Sequence, residues 1–183
     1  MTRPTLPLDR ALWPARLAFR PLALGDLPLL HRWFAAPHAG PWFNDHTPEQ
    51  IDDAYTPAIT GATPIFAYVV VHDGVDIGLI NWERFGDFPA QMAGYEVDDP
   101  DFVNIDVIIG EPAYVHRGLG APLIRRFLRE VVFANPRFRT CVIDPHETNA
   151  AAIRAYAKAG FRHVRTVVDP EDAKTRLYLM QWP

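Results

Sequence analysis

The strand-like run Asn104-Ile-Asp-Val-Ile-Ile-Gly110 leads into a turn, Val115-His-Arg-Gly-Leu-Gly-Ala121, whose two glycines open an amphipathic stretch. A turn of this kind leaves the first N–H groups of the following helix without intrahelical acceptors, and the helix dipole adds partial positive charge there. Phosphate oxygens suit such a place. Gly118 and Gly120 let the backbone approach a bulky pyrophosphate, Arg117 adds a mobile cation, and Pro122 in the first turn removes no ladder donor. The turn lacks the third glycine of the dinucleotide fingerprint and the Gly-Lys-Ser/Thr of the P-loop, so a nicotinamide dehydrogenase or an ATPase is not expected. Glycines that simply pack a strand-to-helix turn are the competing explanation. Asp106 alternates with Ile105 and Val107 and so faces the opposite side of its strand. A carboxylate among such neighbours costs roughly several kcal/mol unless it is paired or solvated, which points to function.

Charge supports a division of labour. Residues 1–32 carry a net +3, residues 33–116 a net −13 with Arg84 as their one basic residue, and residues 117–183 a net +6. Scattered acids can merely solubilise a surface, but a middle segment so poor in cations would attract polycations and repel nucleic acid. The basic final third suits an anion. One half for a cation and one half for a phosphate is the expectation.

The elements that must position these groups follow from pattern. Arg16–Leu22 reads as a strand, and Asp26 can cap a helix reaching about Ala36. Thr47-Pro-Glu-Gln50 is a capping box opening a helix to about Ala58. Pro64–Val71 and Val75–Glu83 form a hairpin across His72-Asp-Gly74, and 84–100 reads as a long functional loop. Phe102–Ile109 is a strand, a phased helix runs from Leu119 to Val132, and Thr140–Ile143 is a buried strand. A helix from Thr148 to Ala159, capped by Gly160, precedes strands at Phe161–Val168 and Arg176–Gln181. The fold class is α+β (mixed α/β), with a mixed central sheet of six to seven strands and about four helices. A single domain is expected over 1–183, with 16–100 and 101–183 as its two halves.

The second block is Asp144-Pro-His-Glu-Thr-Asn149, followed by Ala152, Tyr156, Lys158, Gly160 and Phe161. Together with the glycine turn it resembles the GNAT superfamily of acyl-CoA-dependent N-acetyltransferases, whose signatures are Q/R-x-x-G-x-G/A and N-x-x-A-x-x-x-Y-x-K-x-G-F. The two motifs span roughly residues 102–168; the first departs from the pattern in carrying Val115 for Gln or Arg. The chain is further similar to aminoglycoside 6′-N-acetyltransferases at Trp42, Thr63-Pro64, Gly78–Asn81, Asp99-Pro100, Ile105-Asp106 and Asp144-Pro145.

The resemblance implies acetyl-CoA as cosubstrate, no metal, and direct attack by an amine with no enzyme nucleophile, which leaves Cys141 an inert core thiol. It implies Asp106 as proton acceptor and Tyr156 as the acid for the coenzyme thiolate, with a core tyrosine as the alternative. The backbone near Val107 would polarise the carbonyl. Val107, Ile109, His116, Arg117, Gly118, Leu119, Gly120, Ala121, Asn149 and Lys158 are the expected cofactor contacts. Trp42, Tyr55, Asn81, Glu96, Asp98 and Asp144 are the expected acceptor contacts, with Trp82, Tyr95, Glu83 and Asp99 as further walls and acids; core packing is the alternative for each of the aromatics, and Asp144 alternatively caps the helix that follows it. The partner is then a small polycationic amine, not nucleic acid or a membrane, and the assembly a monomer or homodimer.

Two other acceptors remain open, a lysine-type siderophore precursor and a protein N-terminus, and so does a non-catalytic acyl-CoA sensor. One cysteine rules out an intrachain disulfide. The mean hydropathy of −0.08, with no apolar run of spanning length and no secretory pattern in the first residues, leads to a cytoplasmic expectation.

Overall fold

The structure is a computed structural model that describes residues 14–43, 46–170 and 172–182. The expectation of no secretory pattern falls on the first residues of the chain, of which 1–13 lie outside the described ones.

Seven strands form one sheet in the order β1-β2-β3-β4-β5-β7-β6. They are β1 (Leu17–Pro21), β2 (Ile65–His72), β3 (Val75–Arg84), β4 (Val103–Ile109), β5 (Cys141–Ile143), β6 (Arg162–Val168) and β7 (Arg176–Trp182). All neighbours are antiparallel except β4 and β5. Among the described residues five α-helices accompany them: α1 (Leu27–Phe34), α2 (Pro48–Thr60), α3 (Pro89–Gly94), α4 (Gly120–Phe127) and α5 (Ala150–Ala159). The capping box forms as written, with Thr47 N–H donating to Gln50 Oε1 at 2.8 Å and Gln50 N–H to Thr47 Oγ1 at 3.4 Å.

Strand alternation sends side chains to two cores. One face buries Ile77, Ile80, Val103, Ile105 and Cys141 against Leu123, Ile124, Phe127 and Tyr156 of α4 and α5. The other face buries Val69, Leu79 and Ile108 against Leu30, Trp33, Phe34 and Ile51 of α1 and α2. Farther along that second face, Phe85, Tyr95, Val142, Leu177 and Leu179 form a third cluster. Gly110 sits where the Trp33 ring crosses β4, and a Cβ there would lie 2.0 Å from the ring.

Three expectations change. Residues 84–100 hold a 3-10 turn at Phe85–Asp87 and the short α3, because Pro89 can start a helix that its own missing N–H does not weaken. The helix from 119 to 132 is α4 followed by a π-turn over Leu128–Val132. Asp26 makes no side-chain cap; its carboxylate takes Arg20 at 2.7 Å and the Ala23 N–H at 2.9 Å instead.

Candidate active site

The parallel pair β4–β5 is where the sheet opens. Register holds only at Val103 with Cys141 and Asn104 with Val142, after which the strands part. Val103 N–H donates toward β5, to the Thr140 carbonyl at 3.1 Å, so the two-residue period turns the amides of Ile105, Val107 and Ile109 to the same edge. Asn104 Oδ1 takes the Ile105 N–H at 3.0 Å. The amides of Val107 and Ile109 face the gap. On that edge the Ile109 carbonyl lies 2.9 Å from His38 Nε2, which must donate to it.

A cleft of about 1630 Å³ passes through this opening. On the α4–α5 face its wall is the glycine turn: Val115, His116, Gly118, Leu119, Gly120 and Ala121 line it, as do Asn149, Arg154, Tyr156 and Lys158. Gly118 has φ +83° with open space where a Cβ would project, and His116 has φ +59°. No acidic residue lies in the first turn of α4, and Leu119, its N-cap, contributes no side-chain hydrogen bond. The cradle of amides is therefore left for a ligand. Arg117 does not line the cleft; it is exposed, with Nε 3.4 Å from the Ala113 carbonyl. Asn149 lines the cleft, but its Oδ1 accepts from Ala152 N–H at 3.1 Å, so its side chain caps α5.

On the opposite face Glu83 of β3, Asp106 of β4 and Asp144 after β5 line the same cleft. Glu83 and Asn81 stand across from Asn104 and Asp106, all on one side of the β3–β4 pair, and Asp144 continues the side on which Val142 lies. Burial raises the Asp106 carboxyl above the carboxylate range, against the hydrogen bond from Asn81. Burial, then Asp106, push Asp144 up to about 7, with Glu83 adding to the rise, while a hydrogen bond from Tyr95 opposes it. Two such carboxyls close together resist simultaneous ionisation, and an entering ammonium relieves both. Burial and the same two aspartates raise the Tyr156 hydroxyl, so it keeps its proton at neutral pH and stands in its donor form. The Cys141 thiol is fully buried and burial pushes it well above its ordinary value, so it supplies no nucleophile.

Other expected acceptor contacts are divided. Trp42 lines the cleft, 41 % exposed, and its ring lies 6.0 Å from that of His146 across the opening. Tyr55 and Asn81 do not line it. Tyr55 packs with Phe34 at 5.9 Å, its hydroxyl raised first by burial and then by Asp106 and Glu83. Asn81 acts through Asp106. Glu96 and Asp98 fall outside the cleft as well, lining with Asp99 a separate depression of about 210 Å³, where Arg165 pairs with Glu96 at 2.7 Å. Trp82 points to the α4–α5 side and stacks on Phe66 at 4.5 Å.

The acid excess of the middle segment is thus not one negative lobe. Arg16 takes Asp73, Arg20 takes Asp76, Arg32 takes Glu111, and Arg84 and Arg137 share Asp101. The spacing of acids along the chain carries no sign of which ones the flanking arginines cover. His38, Gln91, Asn104 and Arg154 line the cleft without having been expected there; Arg154 was legible in principle, two turns before Gly160 on the same helix as Tyr156.

A sheet that parts between two parallel strands, with an amide cradle at one mouth and paired carboxyls at the other, can hold an anionic ligand and a cationic one side by side. The chain belongs to the family described as acetyltransferase (GNAT) domain, whose model matches residues 23–168. It is an acyltransferase. It is 27 % identical over 151 residues to aminoglycoside N(6′)-acetyltransferase type 1 of Klebsiella pneumoniae, covering 80 % of this chain and 74 % of the relative. It is 26 % identical over 175 residues to lysine N-acyltransferase MbtK of Mycolicibacterium paratuberculosis, covering 91 % and 74 %. Among solved structures, aminoglycoside acetyltransferase AAC(6′)-Ib in complex with coenzyme A and kanamycin superposes with a TM-score of 0.77 at 26 % identity, covering 91 % of this chain and 94 % of that one.

Proposed function

We propose that the protein transfers the acetyl group of acetyl-CoA to a primary amine of an aminoglycoside, the 6′-amine by preference, and that drug modification and resistance are its role. The observation that carries this reading is the convergence of Glu83, Asp106 and Asp144 on the cleft face opposite Tyr156 and the amide cradle. Three carboxyls suit an acceptor with several ammonium groups better than a single amine. The likeness to the structure holding coenzyme A and kanamycin supports it.

The residues fit the cosubstrate. Amides of Gly118, Leu119, Gly120 and Ala121 would hold the pyrophosphate, Lys158 and Arg154 add charge at that wall, and the edge of β4 at Val107 and Ile109 offers strand-like partners to an extended amide chain. When bound, acetyl-CoA supplies an activated acetyl thioester. Asp106 accepts the proton that the amine must lose as its nitrogen bonds to the acetyl carbon. The Val107 N–H faces the opening and can polarise the carbonyl. Tyr156 gives its hydroxyl proton to the departing sulfur as the carbon–sulfur bond breaks, and recovers one from solvent. Asp144 and Glu83 hold ammonium groups of the acceptor through charge-assisted hydrogen bonds.

A thiol-release assay with acetyl-CoA and a panel of kanamycin-type drugs, with N6-hydroxylysine alongside, tests the assignment. Turnover confined to the drugs supports it. Turnover of the lysine derivative alone moves the assignment to the second reading, lysine N-acylation, which the likeness to MbtK favours.

A further inference from the structure

Tyr95 follows α3 and brings a buried ring to the edge of the acceptor side. The ring is 5 % exposed, meets Phe85 edge-on with centroids 5.7 Å apart, and packs among Val142, Leu177 and Leu179. A phenol buried this way has little room to turn, and its hydroxyl must find a partner on the spot. That partner is Asp144 Oδ2, to which it donates a hydrogen bond. The charged and titratable groups facing Asp144 are Asp106 from β4, Glu83 from β3, Cys141 from β5, Tyr95 itself and, across the opening, Tyr156 of α5; Asp169 faces Tyr95 from the side of β6. Against two acids, the carboxyl accepts from a backbone N–H and from Tyr95, and Tyr95 is the side-chain donor that reaches it.

We propose that Tyr95 is a positioning residue of the transfer reaction, its hydroxyl holding the Asp144 carboxylate turned toward the acceptor amine. This rests on the reading of the cleft as an amine-acetylating site. With Oδ2 engaged by Tyr95, the Asp144 carboxyl is held in one orientation and presents its remaining lone pairs to an ammonium. Donation to the carboxylate also favours its charged form, against burial and the two neighbouring acids. Tyr95 borders the cleft, but its hydroxyl is committed to Asp144 and its ring is anchored in the third cluster, so it acts on the acceptor through Asp144.

Tyr95→Phe keeps the ring and its packing and removes only the donor. The expected result is a rise of about 10-fold in acceptor KM at neutral pH, with kcat changed far less, and an acid limb of kcat/KM displaced upward by about one pH unit, so that the loss fades in alkali. A loss by the same factor at every pH, or no loss, overturns the proposal. A 3,5-difluorotyrosine at 95, the same shape and a stronger donor, should move the limb downward; a limb that stays put also overturns it, even where the phenylalanine variant fails to fold. The Asp144 carboxyl carbon, followed by NMR titration in the intact protein, should show its midpoint raised in Tyr95→Phe relative to wild type, and an unchanged midpoint contradicts the inference. This last readout needs no acceptor, so failure to acetylate any aminoglycoside would count against the functional assignment while leaving the role of Tyr95 to be decided by the titration.

Discussion

Asn81 and Asp106 stand directly opposite one another in the β3–β4 pair, and Asn81 Nδ2 donates to Asp106 Oδ2 at 3.2 Å. The amide is itself buried, so it holds one oxygen of the acid in place and opposes the effect of burial on it. The other oxygen is left for the acceptor. With Asp106 as the proposed proton acceptor, Asp106→Asn removes that function with little change of shape, and kcat/KM should fall about 10²-fold or more while acetyl-CoA binding by calorimetry stays within a few-fold of wild type. An undiminished rate would assign the base elsewhere.

Asp144 sets a pH dependence. Its carboxyl is raised to about 7, chiefly by burial and by Asp106. The charged form, which on the proposed reading holds an ammonium of the acceptor, is populated as pH rises through that value, so kcat/KM for the acceptor should climb between about pH 6 and pH 8. Stability runs the other way. The folded state holds a proton on this group that the unfolded chain has released, so between the ordinary carboxylate range and about pH 7 the fold loses stability as pH rises. Asp144→Asn should therefore melt higher than wild type at pH 8, by roughly 2–4 °C for each kcal/mol relieved, and show a smaller advantage at pH 4. Melting curves at the two pH values decide it.

Tyr156 should act late, on the leaving sulfur. Tyr156→Phe retains a ring that is 8 % exposed and packed in the α4–α5 core. Its kcat should drop about 10²-fold with acceptor KM little altered. An acetyl thioester with a more acidic leaving thiol should recover much of the rate; equal loss with both thioesters would contradict the role.

The crossing of α1 over β4 depends on Gly110. A methyl there meets the Trp33 ring at 2.0 Å, inside the second core. Overpacking of this kind costs about 1–3 kcal/mol, so Gly110→Ala should unfold at lower urea concentration, read by circular dichroism. Because Trp33 Nε1 also donates to Glu111 at 3.0 Å, the indole has little freedom to yield.

Much of this was legible in the residues. The capping box at Thr47, the Asp73-Gly74 hairpin and the left-handed Gly160 after α5 are local devices whose chemistry depends on adjacent residues alone. The alternation that turned Asp106 away from Ile105 placed it on the acceptor face. What the sequence does not expose is pairing across the fold. Glu96 and Asp98 look like acceptor ligands until Arg165, far along the chain, is seen beside them. Arg117 sits in the glycine turn yet faces outward, because His116 and Gly118 both take positive φ around it. Tyr95 gives no sign of its bond to Asp144, since α3 hides in a stretch rich in glycine, proline and acid.

Mass spectrometry of a single reaction mixture tests the central claim most directly. With acetyl-CoA and kanamycin, the drug should gain one acetyl group on its 6′-nitrogen while the protein's own mass stays unchanged, as direct transfer with a buried, inert Cys141 requires. Kanamycin recovered unmodified, or acetyl found on the protein and passed on from there, would contradict the account.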